Sequence, residues 1–176
     1  AGKAGVAEMT AGLADKGTAT RSAEEIAQTL ESLGASLSAS AGADGTFISL
    51  TAPTGNLDAA GAVLSDVIRN AVFPESELDR ERKRAMDGLQ ISMKDPGALA
   101  GMIAAPLMYG SAGYGGVTTA ESLMQIKQAD LAGFRTTWWH PAAAQIVISG
   151  GISPERAKSV ANALFGEWTT RQPQPT

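Results

Sequence analysis

The stretch GVAEMTAGLADKGT, residues 5–18, decides how the rest of the chain is read. It predicts a helix from Gly5 to Lys16, closed by Gly17, because a glycine just past the last turn takes the left-handed conformation that ends a helix at no steric cost. Downstream, Ser22-Ala23-Glu24-Glu25 forms a capping box. The Ser22 hydroxyl accepts from an orphan N–H and Glu25 reaches back to the cap. Ile26, Leu30 and Leu33 then make a helical stripe that stops at Gly34. Leu37, Ala39 and Ala41 alternate with Ser36, Ser38 and Ser40, the period of a half-buried strand. Asp44-Gly45 marks a hairpin turn, and Thr46 to Ala52 is the partner strand.

After a break at residues 53–56, Leu57, Ala60, Leu64, Val67 and Ile68 line a helix. Pro74 opens the next one as its first residue, with Glu75 and Glu77 near the positive end of the dipole. Its stretch Glu75 to Arg84, with a dense charge run over residues 79–84, reads as a solvated face stitched by pairs such as Asp79–Lys83 and Glu77–Arg84, or else as a docking surface. Asp95-Pro96 ends or kinks that helix. A further helix covers residues 98–109 despite Pro106, followed by a glycine-rich loop, 110–117. That loop lacks the Lys-Ser/Thr of a phosphate cradle. Thr118 to Glu121 reads as a second capping box, residues 130–138 as a helix, and Gln145–Ser149 as a short buried strand. Ser153-Pro154-Glu155 opens the last helix, which ends near Phe165. Trp138-Trp139-His140-Pro141 reads as the aromatic end of a helix packed on the sheet. The fold expected is α+β, a mainly antiparallel sheet with helices on one face, in a single domain over residues 1–168 with a linker-like tail, 169–176.

The chemistry is bounded by what the chain lacks. Its 176 residues contain no Cys and one His, so thiolate nucleophiles, disulfides and a two-His zinc site within the chain are excluded. The net charge of -4, with no basic cluster, argues against a nucleic-acid partner. No apolar run is long enough to insert in a bilayer. No signal peptide is visible, and the abrupt start AGKAG suggests an excised domain or a cleaved product.

The opening stretch resembles the zinc-binding helix of the insulinase/pitrilysin family, which includes mitochondrial processing peptidase. In that family two His four residues apart leave one helix face and hold zinc, with a Glu between them as general base. The positions of the two His are occupied here by Glu8 and Gly12, and that of the base by Ala11. FPESELDRERKRAMDGLQ, residues 73–90, is similar to the segment that carries the third ligand, whose position falls on Gly88; Glu81 matches a non-ligand acidic position one helical repeat earlier. The segments 20–50, 109–134 and 138–157 are similar to the rest of the same domain.

The resemblance implies a non-catalytic domain that holds no metal and no cofactor of its own, zinc being expected in a catalytic subunit or domain of the same family. It also implies a chain lacking the N-terminal part of the domain, a peptide substrate, and a periplasmic or secreted location in a bacterium. Active members add an extended peptide to a sheet edge, and the matching residues are Leu37, Ser38, Ala39, Ser40 and Ala41. The alternating serines are equally those of an edge that is covered. Glu8 reads as a relic ligand or as a plain surface carboxylate. A structural subunit like the core proteins of the respiratory bc1 complex is the second reading.

Overall fold

The computed structural model describes residues 3–111 and 113–169; most of the tail expected at 169–176 lies outside the described residues. Eight helices, α1 (Val6–Gly12), α2 (Ala23–Ser32), α3 (Leu57–Asn70), α4 (Glu75–Ser92), α5 (Pro96–Tyr109), α6 (Ala120–Gln125), α7 (Gln128–Trp138) and α8 (Pro154–Phe165), surround one hairpin of strands β1 (Ser36–Ala41) and β2 (Thr46–Thr51) among the described residues. The strands pair antiparallel, Ser36 opposite Thr51 through Ala41 opposite Thr46. One face of the hairpin is turned inward and the other is open, and α1, α2 and α3 pack against it. The architecture is α+β, as the alternating and helical periods predict.

Two apolar clusters make the core. Met9, Leu13, Ala71, Phe73, Leu78, Leu123, Ile126 and Leu131 form the first. Ala14, Ile26, Leu30, Val63 and Val67 form the second, on which Leu37, Ala39, Leu50 and Trp139 pack. The second cluster explains the hairpin: its strands present Leu37, Ala39 and Leu50 at every other position to the stripes of α2 and α3. The Trp139 indole N–H donates to the Thr46 hydroxyl at 3.2 Å, so the aromatic end of α7 meets the sheet as its sequence suggests.

Several local readings change. α1 ends at Gly12, five residues short of Gly17, because Leu13 and Ala14 turn into different clusters. The chain tightens there into i→i+3 bonds, Ala14 N–H to Ala11 and Lys16 N–H to Leu13, both 3.1 Å. Gly17, at φ +142°, bridges Ser22 and closes a loop between α1 and α2. The hairpin turn sits one residue earlier than expected, over Ala43-Asp44, with the Gly42 N–H donating to the Gly45 carbonyl at 2.8 Å. Pro74 is the N-cap of α4, not its first residue. Asp95 caps α5, accepting from the Ala98 N–H, and Pro96 opens it. The second capping box is built on Thr119 and Ser122, since Thr119 has the extended backbone a cap requires.

The expected strand Gln145–Ser149 is not one. It has no ladder partner among the described residues, and Ile146 and Val147 are 49% and 80% exposed. An apolar, β-branched run needs a neighbouring strand to satisfy its backbone, and none of the described strands lies beside it. The charges of α4 pair at i,i+3, Glu77–Arg80, Asp79–Arg82 and Glu81–Arg84, in place of the i,i+4 and longer pairs expected. Phe73 is wholly buried with φ +53°, a conformation rare for a bulky residue and held here by the first cluster.

Candidate functional site

Helical geometry splits α1 into two faces. Met9, Thr10 and Ala11 are buried in the helix and Leu13 just beyond it, whereas Glu8 and Gly12, one turn apart, are exposed. Ala11, which the resemblance aligns with the general base, is only 2% exposed and belongs to the packed interior. A Cβ placed on Gly12 would meet only the Glu81 carboxylate, at 3.6 Å. Glu81 is therefore the acidic group α4 brings to this face, and it is engaged with Arg84 at 3.2 Å. Gly88, two turns further along α4, is exposed and has nothing within 4 Å of a Cβ.

Zinc takes a nearly complete shell of His, Cys or carboxylate donors. Gly12, Gly88 and Ala11 supply none, Glu81 is paired with an arginine, and His140 is buried on the segment after α7. Among the described residues no group of three or more His, Cys, Asp and Glu is placed to hold a metal. The residues present do not fit zinc, and no hydrolytic step can be derived from them.

The hairpin supplies a different kind of group. The Gly42–Gly45 contact is a hydrogen-bonded pair, and bonded and non-bonded pairs alternate along an antiparallel ladder. The ladder bonds of β1 therefore come from Ser36, Ser38 and Ser40. The backbone N–H and C=O groups of Leu37, Ala39 and Ala41 point away from β2, and among the described residues no strand lies on that side. Their side chains face the helices while the serines face outward. Residues 37–41, read as one block in the sequence, thus divide by parity into three whose backbone groups point away from β2 and two that hold the hairpin together.

A network that sequence reasoning missed fixes the segment between α1 and α2. Asp66 of α3 is 7% exposed, and one carboxylate oxygen accepts from Thr18 at 2.7 Å, Thr20 at 3.1 Å and Arg21. The other oxygen accepts from Asn70 at 2.8 Å. Burial raises the carboxyl's pKa, but the bonds from Asn70, Thr18, Arg21 and Thr20 outweigh it and hold the group below its ordinary value. The visible clue was a charge inside an apolar stripe, between Leu64 and Val67. Arg82 is a second such group: its Nε and Nη2 donate to the Leu123 and Ile126 carbonyls at 3.1 and 2.8 Å, tying α4 to the end of α6.

Comparison with known proteins accords with this geometry. Residues 2–106 match the family described as Insulinase (Peptidase family M16), and residues 125–176 match the one described as Peptidase M16 inactive domain. The mitochondrial-processing peptidase subunit beta of Bos taurus is 26% identical over 166 residues, 93% of this chain and 34% of that protein. An uncharacterized zinc protease of Rickettsia bellii is 29% identical over 95 residues, 54% of this chain and 23% of that protein. Cytochrome b-c1 complex subunit 1 of Caenorhabditis elegans is 26% identical over 178 residues, 97% of this chain and 36% of that protein. The chain thus spans about a third or less of the length of these relatives. A solved M16 inactive domain from Pseudomonas fluorescens shares the fold, with a TM-score of 0.89 and 24% identity over 98% of this chain and 42% of that one. With more than half of its length matched, this chain belongs to the insulinase family, peptidase family M16.

Proposed function

We propose that this chain is a non-catalytic domain of an insulinase-family zinc metalloprotease, which binds and helps enclose a peptide substrate for a zinc-bearing subunit or domain. The observation that carries the reading is a strand edge at Leu37, Ala39 and Ala41 with no strand beside it among the described residues, packed against a helix that keeps the motif's frame but neither of its His. An extended peptide laid along β1 would bond those three residues' backbone groups, with register set by their spacing of two. Zinc, the general base and bond cleavage belong to the partner in this reading. The partner carries an intact H-x-x-E-H helix.

The same proposal places the protein in the periplasm or outside a bacterial cell. One solved relative of similar fold, 18% identical with a TM-score of 0.80, is a periplasmic protease of Escherichia coli. No helix among the described residues is long and apolar enough to cross a membrane. The second reading, a scaffold with no part in proteolysis, draws on the similarity to a cytochrome b-c1 complex subunit over nearly the whole chain.

The test is metal content and peptide cleavage, measured on the purified protein alone and with a co-expressed subunit bearing H-x-x-E-H. The reading expects no zinc and no cleavage alone, and cleavage with the partner that falls when Ala39 is replaced by Pro. Stoichiometric zinc or cleavage by the chain alone refutes it. A partner equally active without this chain moves the scaffold reading ahead.

A further inference from the structure

The two ends of the β1–β2 hairpin are held by different means. At the open end Leu37, Ala39 and Leu50 sink into the second core cluster. The turn end has no such anchor: Phe47 is 69% exposed, and residues 42–45 are all exposed. Two side chains from the second half of the chain reach it instead. Trp139 bonds Thr46, and the Tyr114 hydroxyl donates to the Asp44 carboxylate.

Tyr114 stands on a 3-10 turn, Gly113–Gly115, whose glycines fix its direction. A Cβ on Gly115 would lie 1.8 Å from the Gly110 carbonyl oxygen, and Gly113 has φ +57°, so side chains are barred from both positions. The Tyr114 ring leans on Tyr109 at the end of α5, with centroids 6.0 Å apart. The hydroxyl's proton is held more tightly than in a free tyrosine, chiefly through its bond to Asp44. With Tyr114 62% exposed, this contact is open to water and therefore reversible.

We propose that Tyr114 is a positioning residue for the peptide edge: its bond to Asp44 steadies the turn end of the hairpin, and with it the outward backbone groups of Ala41 and Ala39. The role rests on the peptide reading given above; the tie itself does not. An exposed bond of this kind biases the closed state by about three- to tenfold. Opening frees the end of β1 that has no apolar support, so strand addition weakens there first.

Amide hydrogen exchange on wild type and Tyr114→Phe tests it, since Phe keeps the ring and loses only the donor. The informative amides are Ser40 and Gly42, whose N–H groups bond within the hairpin. The expected result is exchange about three- to tenfold faster at both, with locally opening α3 amides unchanged and the melting temperature lower by no more than about 5 °C. Unchanged exchange at Ser40 and Gly42 overturns the tie. The second readout is dissociation of a short fluorescein-labelled Ala/Ser peptide, expected to be faster from the variant by a similar factor. If exchange accelerates and the probe binds neither protein, the positioning role falls together with the peptide reading, and only a mechanical tie is left. If the probe binds both proteins with one off-rate and exchange is unchanged, the peptide reading survives without Tyr114.

Discussion

Replacing Asp66 by Ala should be among the most damaging single changes available in this chain, and its size follows from the network around it. The carboxylate accepts from Thr18, Thr20, Arg21 and Asn70, and the Thr18 bond is buried. Truncation leaves that hydroxyl without its acceptor, at about 1–3 kcal/mol, and removes the charge-assisted bond to Arg21. Breaking a fully buried ion pair costs about 3–5 kcal/mol. Arg21 is a third exposed and regains water when its partner goes, which pulls the sum down to about 2–4 kcal/mol. In a protein of this size that is a loss of about 5–15 °C in Tm. Asp66→Asn keeps one acceptor oxygen and should cost about 1–2 kcal/mol.

The network also fixes the pH dependence. Folding lowers the Asp66 pKa, so its stabilisation is fully present above the unfolded value, about 3.9, and is lost as pH falls through the lower folded value. The gap between wild type and Asp66→Asn, read from urea midpoints at constant m, should be flat from pH 7 to about 5 and narrow below about pH 4. A gap that stays constant down to pH 3, or an Ala variant within about 0.5 kcal/mol of wild type, would refute the reasoning.

Three further outcomes follow from the site. Gly88→Ala should raise stability by about 0.5–1 kcal/mol in urea denaturation, because the position is mid-helix, exposed and free of neighbours. Ala11→Glu, the residue the resemblance expects at this position, should cost about 2–4 kcal/mol, since it puts a carboxylate where only 2% of the residue is exposed. A melting temperature equal to wild type would show that α1 can turn this position outward. Ala39→Pro should remove an outward N–H and leave the hairpin intact, whereas Ser40→Pro should cut a ladder bond and unfold it. Equal melting temperatures for the two prolines would mean that the parity assigned to β1 is wrong.

Where local chemistry decides the structure, the sequence was sufficient. The Ser22–Glu25 box, the alternating residues of β1 and the Ser153-Pro154 start of α8 all stand where their patterns place them. The failures have a common cause in long-range partners. Leu13 and Ala14 end α1 early because they pack into two different clusters. Residues 145–149 have the composition of a strand but lack, among the described residues, the neighbour that would make them one. Within the site, the substituted motif positions could be named from the resemblance. The burial of Ala11, the approach of Glu81 to Gly12 and the outward parity of Leu37, Ala39 and Ala41 required the tertiary structure.

The two-faced build of α1 has a consequence for how such a motif can decay. Met9 and Leu13 carry the packing, and Glu8 and Gly12 lie on the opposite side, so the demands of metal binding and of folding fall on different residues. A substitution at position 8 or 12 removes a donor without opening a cavity, and the helix remains because the core beneath it still needs Met9 and Leu13. Donors at these two positions can be lost at little thermodynamic cost, whereas position 11, buried in the same helix, is held by the packing. The scaffold, with its strand edge, stays folded and open to other uses.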